Sequence, residues 1–256
     1  MTVTARPVRR GPLVCTAPRA DPQRRVFCVP YAGGGPGVFR DWHPHLEGSV
    51  ELWAAELPGR GRRLREPPSA GILPAAAELE RALWPLLDRP YVLFGHSMGA
   101  LVAYELARRL AAAGRPPLRL VVSGSPAPGE PRGLPPVAGL GDYELLDAVQ
   151  PLGGLPDPVL DEPELLEIVL PILRADLVAC ERYVESAGPP LPCPITALAG
   201  DRDRLASAAS MEPWAARTVA DFRLERFAGG HFFLESARVA VVRSVAVGIG
   251  AAAATA

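Results

Sequence analysis

A serine stands at the centre of Gly95-His96-Ser97-Met98-Gly99, with a glycine two residues away on each side. The flanking residues give that spacing a chemical meaning. Tyr91-Val92-Leu93-Phe94 before it is a strand-like apolar run, and Ala100-Leu101-Val102-Ala103-Tyr104 after it opens a helical one. Strand, sharp turn and helix are the context of a nucleophile elbow. The turn forces the serine into a strained backbone and exposes its Oγ at the carboxyl edge of a sheet, beside the positive end of a helix. Glycines flank it because strand and helix approach too closely there for a Cβ. Ser97 is the candidate nucleophile.

A serine hydroxyl attacks a carbonyl only when a base takes its proton. Of the four histidines, His96 adjoins the serine, so its ring should diverge from Oγ and take a packed, hydrogen-bonded place. His43 and His45, in Asp41-Trp42-His43-Pro44-His45, precede the nucleophile and read as a surface or pocket-rim helix. His231 follows the last candidate strand, in Gly229-Gly230-His231-Phe232-Phe233, where glycines permit close approach and the Phe pair can anchor the loop. His231 is the candidate base.

The chain order serine, acid, histidine puts the acid after a strand between residues 97 and 231. Gly200-Asp201-Arg202-Asp203 offers two carboxylates there. Asp203 is favoured, because the second Asp of a G-D-x-D turn is the usual acid in related hydrolases. Asp201 is left to tie the loop through backbone hydrogen bonds. The segment after the preceding strand, Ser123-Gly124-Ser125-Pro126, carries no carboxylate. A tetrahedral intermediate also needs two backbone N–H donors. Met98 should supply one, and Ala32, in Pro30-Tyr31-Ala32-Gly33-Gly34-Gly35, the other. Those glycines resemble a phosphate cradle, but the P-loop lysine and the G-x-G-x-x-G register are both missing, which disfavours a nucleotide.

The elements that must position these groups alternate along the chain. Candidate strands are Val26–Val29, Val50–Ala55, Tyr91–Phe94, Leu118–Ser123, Ile195–Ala199 and Phe222–Phe227. Ala75–Leu87 and Ala100–Ala112 carry apolar residues at helical spacing between them. This is the pattern of an α/β fold with a mostly parallel central sheet flanked by helices. Residues 1–24, rich in Arg and Pro, read as a loosely ordered arm, and 25–256 as one domain. From about 139 to 186 the chain shows only helical stripes: Leu145, Leu146 and Val149, then Leu165, Leu166, Val169, Leu170, Leu173 and Leu177. So long an insertion between strands reads as a helical lid over the site; the alternative is a helical bulge that only adds core.

Composition narrows the class further. The formal net charge of −1 gives no pull toward nucleic acid or acidic membranes. No apolar run is long enough to cross a membrane, and the N-terminus lacks the apolar core of a secretory signal. Cys15, Cys28, Cys180 and Cys193 show no metal-ligand spacing and read as buried free thiols of a cytoplasmic protein. Neither metal nor cofactor is expected.

With these residues in place, the chain resembles the type II thioesterases, the stand-alone editing enzymes of polyketide and nonribosomal peptide synthases. The resemblance runs from about Arg25 to Leu234. It rests on Phe27–Gly35, Glu56-Leu57-Pro58-Gly59-Arg60-Gly61, Phe94–Ala100, Leu170-Pro171-Ile172-Leu173-Arg174-Ala175-Asp176 and Gly229–Phe233. It implies a lidded α/β-hydrolase that clears aberrant acyl groups from the phosphopantetheine arm of acyl or peptidyl carrier proteins. The triad would fall on Ser97, Asp203 and His231, and the oxyanion hole on Ala32 and Met98. The family often continues after the acid with Pro and a β-branched residue; here Arg204-Leu205-Ala206 follows, which leaves that loop's geometry open. The same triad would also serve an acyltransferase, a cyclase or a carboxylesterase. A carrier-binding module without catalysis is disfavoured by the intact Ser, Asp and His. Arg60, Arg62, Arg63 and Arg65 lie close together after Leu57, either guiding an acidic carrier or forming a solvated loop.

Overall fold

The structure is a computed structural model that describes residues 6–154 and 161–250. Eight strands form one sheet: β1 (Val8–Arg10), β2 (Leu13–Cys15), β3 (Arg24–Val29), β4 (Val50–Ala55), β5 (Tyr91–His96), β6 (Arg119–Ser123), β7 (Ile195–Gly200) and β8 (Phe222–Phe227). Their spatial order is β1-β2-β4-β3-β5-β6-β7-β8. The six strands from β3 on run parallel, and β1 and β2 are antiparallel additions at one edge. The helices are α1 (Ile72–Leu83), α2 (Met98–Ala112), α3 (Asp142–Val149), α4 (Pro163–Glu181), α5 (Ala208–Met211), α6 (Phe233–Ser236) and α7 (Arg238–Gly250).

Period-two alternation in the central strands builds a core on each face of the sheet. Phe27, Val29, Leu93, Leu120 and Val122 pack toward Leu79 of α1 and Leu101 of α2. Val26, Cys28, Val92, Phe94 and Val121 point the other way, toward Phe39, Trp42 and Val241 and Val245 of α7. Each such side chain contributes roughly 2 kcal/mol by leaving water. A third apolar cluster, Val137, Leu145, Val149, Leu170 and Leu173, holds α3 and α4 together.

The expected strands are all present, some a residue or two longer. The expected loose arm is corrected in part. Residues 8–15 form the β1–β2 hairpin around Gly11, and Leu13 and Val14 pair with Ala55 and Ala54 of β4. Burial of Leu13, Val14 and Cys15 holds it, with Arg9 bound to Glu56. Residues 1–5 of that arm, and 155–160 of the proposed lid, lie outside the described residues. The first helix ends earlier than expected: Pro85 lacks the N–H that would extend the ladder, so Trp84–Leu86 tightens into a 3-10 turn. Leu165 leaves the long apolar stripe and is exposed.

The sheet order reverses at β3, since β4 lies on one side of it and β5 on the other. In open α/β sheets ligands bind in the crevice at the carboxyl ends of the strands where the order reverses. The loops after β3, β5, β7 and β8 all emerge at that edge. They carry Ala32, Ser97, Asp203 and His231 respectively.

Candidate active site

Ser97 caps α2 directly after β5, with φ 54° and ψ −116°. Among the described residues it is the only non-glycine with positive φ. Such a conformation persists only where the surroundings impose it. Here they do. A Cβ on Gly95 would stand 2.0 Å from the carbonyl oxygen of Gly99, and one on Gly99 would stand 2.2 Å from that of Val29. The ends of β3 and β5 and the start of α2 therefore meet backbone to backbone. The Ser97 N–H donates to Ser123 O at 2.7 Å, which ties the turn to β6.

His231 Nδ1 lies 2.9 Å from Asp203 Oδ2, and both side chains are almost wholly buried. The other carboxylate oxygen, Oδ1, accepts the Leu205 and Ala206 amides at 2.8 and 3.2 Å. Arg204-Leu205-Ala206 thus supplies two donors that fix the carboxylate. Asp201, two residues away, is exposed and bound to Arg226 Nε at 2.8 Å. Only Asp203 of the two pairs with His231. The approach of these loops again requires glycine: a Cβ on Gly200 would meet Gly230 O at 2.6 Å. Phe233 is buried against Phe227, and Phe232 packs edge-on to Tyr31, so the Phe pair anchors the loop. His43 and His45 form a short 3-10 turn, with His43 Nδ1 2.8 Å from Arg40 O.

Ser97 sits where two cavities meet. One, of about 280 Å³, is lined by Ala32, Ser97, Val149, Leu173, His231 and Phe232. The other, of about 320 Å³, is lined by Ser97, Ser125, Glu130, Arg132, Leu134 and Tyr183. Leu177 and Leu205 border both. Within the described residues, neither the Ala32 nor the Met98 amide donates to a protein acceptor. For Met98 this follows from its place as the first residue of α2, where N–H groups have no partner inside the helix.

His96 has the packed role expected of it. It is fully buried, with Nδ1 2.9 Å from Ser123 Oγ and its ring 5.0 Å from that of His231. Burial, reinforced by the neighbouring His231, drives its pKa well below the usual histidine range, so the ring is neutral. The four cysteines are buried free thiols. Burial pushes Cys15 and Cys180 up to about 12, which keeps them protonated and unreactive.

The arginine run divides. Arg62 and Arg65 are exposed. Arg63 is taken up by Glu66 and Glu78. Arg60 is buried, forming a two-pronged pair with Asp176 of α4 at 2.8 and 3.0 Å. Asp176 also accepts the Gly33 amide at 2.8 Å. Sequence reasoning read Arg60 as one of four arginines that guide a carrier or form a solvated loop and gave Asp176 no separate role, so their pairing was not foreseen. The one local signal was a carboxylate on the apolar face of α4, between Leu173 and Leu177.

Residues 24–247 match the thioesterase domain family. Linear gramicidin dehydrogenase LgrE of Brevibacillus parabrevis is 38% identical over 221 residues, 85% of this chain and 84% of that protein. The RedJ thioesterase of the prodiginine pathway in Streptomyces coelicolor superposes with a TM-score of 0.83 at 40% identity, covering 91% of this chain and 95% of that one. The type II thioesterase BorB of the borrelidin cluster gives 0.81 at 37% identity, covering 88% and 92%.

Two measurements follow from this packing. Gly99→Ala should cost roughly 2–4 kcal/mol in denaturant unfolding, because Val29 O must move. Gly48→Ala, with nothing within 4 Å of the new Cβ, should change stability by less than about 0.5 kcal/mol. The second concerns acid. Unfolded, His96 binds a proton below about pH 6.5; folded, it does so only at much lower pH. Stability present above pH 6.5 is therefore lost as pH falls through that window, by up to about 1.4 kcal/mol per unit. His96→Gln should flatten this slope, measured as unfolding free energy between pH 7 and about pH 5; an unchanged slope would show that His96 is not its source.

Proposed function

The chain belongs to the thioesterase family, among the type II thioesterases of polyketide and nonribosomal peptide biosynthesis, and is a thioester hydrolase; on that premise we propose that it clears acyl groups from the phosphopantetheine arm of carrier proteins through a Ser97–His231–Asp203 mechanism. The observation that carries this reading is the buried Asp203–His231 pair, whose histidine lines one cavity together with the backbone-strained Ser97.

In this mechanism His231 Nε2 takes the proton of Ser97 Oγ as the oxygen attacks the thioester carbon. Asp203 holds the ring through Nδ1 and stabilises the imidazolium. The Ala32 and Met98 amides receive the oxyanion. The tetrahedral intermediate then collapses, the carbon–sulfur bond breaks, and the leaving thiol takes the proton from His231. Water follows the same route: His231 removes its proton, the acyl–Ser97 ester is cleaved, and a carboxylic acid leaves while Ser97 regains its proton. A thioester carbon carries two substituents, an acyl chain and a thiol arm, and two cavities open from Ser97 to receive them. α3 and α4 roof the smaller one with Val149, Val169 and Leu173, which fits the reading of this insertion as a lid. A nucleotide-dependent redox role is not favoured, because the Asp176 carboxylate already occupies the Gly33 amide in the Gly33–Gly35 loop that resembles a phosphate cradle. Among the described residues no helix is long and apolar enough to cross a membrane. Four buried free thiols fit a reducing, cytoplasmic setting.

Ser97→Ala should lower thioester turnover by about four orders of magnitude or more, and a fluorophosphonate should label the wild type once and this variant not at all. Asp203→Asn should damage kcat far more than Asp201→Asn, since only Asp203 holds His231. The reverse ranking would sink the triad assignment. For the carrier, Arg62 and Arg65 are the exposed members of the 60–65 arginine run, and neither forms an ion pair among the described residues. Reversing both to Glu should lower kcat/KM for an acyl-carrier substrate, and the loss should shrink toward 1 M salt, where the screening length is about 3 Å. Turnover of a small uncharged pantetheine thioester should hold steady. Equal losses on both substrates would count against steering.

A further inference from the structure

A buried ion pair is rarely a stability device, because a well-packed apolar pair of similar volume does as well or better. The Arg60–Asp176 pair therefore calls for another reason to exist, and its remaining hydrogen bonds supply one. Asp176 Oδ2 accepts the Gly33 amide at 2.8 Å, and Arg60 Nη1 donates to Gly34 O at 3.0 Å. Arg60 is itself steadied by Pro58 O, 3.3 Å from both Nε and Nη2. Between them the two charges hold one N–H and one C=O of the loop after β3, immediately beyond Ala32.

That loop is a tight turn closed by the Gly34 amide on Tyr31 O at 2.9 Å. Tyr31 C=O and Ala32 N–H belong to one planar peptide and point opposite ways. Holding the Tyr31 carbonyl inside the turn therefore directs the Ala32 N–H outward, toward the cavity that Ala32, Ser97 and His231 line. Pinning the Gly33 amide fixes the next peptide plane. Gly33 has φ +76°, and Leu173, one turn before Asp176 on α4, packs against it, with Cδ1 3.5 Å from where a Cβ would stand.

We propose that Arg60 and Asp176 are positioning residues of the oxyanion hole: they clamp the Tyr31–Gly34 turn to α4 so that the Ala32 amide faces the tetrahedral intermediate. This rests on the reading of Ala32 as an oxyanion donor. It also makes the second half of α4 a fixed wall of the site.

The test separates the clamp from the charge. Breaking one partner alone strands a buried charge and can unfold the protein, so both are changed together. Arg60→Met with Asp176→Leu removes both charges and leaves Gly33 and Gly34 without partners. Arg60→Met with Asp176→Asn also removes both charges, but its side-chain amide still offers an acceptor to the Gly33 N–H. Turnover of S-propionyl-N-acetylcysteamine, labelling by a fluorophosphonate and thermal melting are measured for each. In the Leu double variant kcat should fall by about tenfold or more with KM little changed, and labelling should slow in parallel, since the phosphoryl oxygen occupies the same hole. The Asn double variant should restore most of both. If the Leu variant proves too unstable to assay, Arg60→Met with Asp176→Met, which likewise removes both charges and the Gly33 acceptor, is assayed at reduced temperature and judged by the same outcomes. A Leu variant with wild-type kcat overturns the proposal, as does one whose activity falls only with its folded fraction, or an Asn variant that rescues nothing. A wild-type enzyme that neither turns over nor labels would instead overturn the parent mechanism.

Discussion

The carbonyl of Val29 and the first turn of α2 lie so close that no side-chain atom fits at Gly99, and the carbonyl of Gly99 in turn leaves no room at Gly95. These contacts fuse β3, β5 and α2 into one backbone unit. The unit holds Ser97 in a conformation that costs on the order of 1–3 kcal/mol. The offset comes from the sheet and the helix behind it: β5 is buried along its whole length between β3 and β6, and Leu101, Val102 and Leu106 of α2 are fully buried. The loop carrying Ala32 leaves from the same end of β3. Its root is thus fixed relative to Ser97 by the sheet, while Arg60 and Asp176 hold the turn beyond it.

Much of this could be read from residues alone, for identifiable reasons. The parallel strands announce themselves because both faces are buried and their sequences become continuous apolar runs. Ser97 and His231 stand out because close backbone approach forces glycine beside them. Asp201 and Asp203 could not be separated by type; what separates them is that one turn of loop points Asp203 inward and leaves Asp201 to Arg226. The β1–β2 hairpin escaped notice because strands of three residues carry too little alternation, and their burial depends on an edge supplied by β4. Arg60 looked like one of four surface arginines. Its partner lies 116 residues away, and nothing local reports that distance.

The charges around the site follow one rule: each buried one is answered. Asp203 has His231 and two amides, and Asp176 has Arg60 and one amide. His96 is answered differently, by staying neutral. Its ring lies 5.0 Å from that of His231. In the proposed mechanism a cation there would oppose the imidazolium formed on His231 during attack. Desolvation removes that opposition by keeping the proton off. A histidine beside the nucleophile is therefore compatible with the chemistry only because it is buried completely.

α4 carries two duties on one face. Residues 173, 176 and 177 are neighbours on a helix surface. Leu173 and Leu177 border the cavities that meet at Ser97, while Asp176 grips the loop that carries Ala32. On the proposed reading, the wall of the acyl space and the anchor of the oxyanion loop thus lie on one helix. Leu173 touches both, since it lines the cavity and packs on Gly33. A change of volume at Leu173 must disturb the loop as well as the cavity. Val149 and Leu152 border the same space from α3 and the turn after it, outside the helix that carries the clamp. A change of volume there acts on the Gly33 loop through the apolar cluster in which Val149 packs with Leu173.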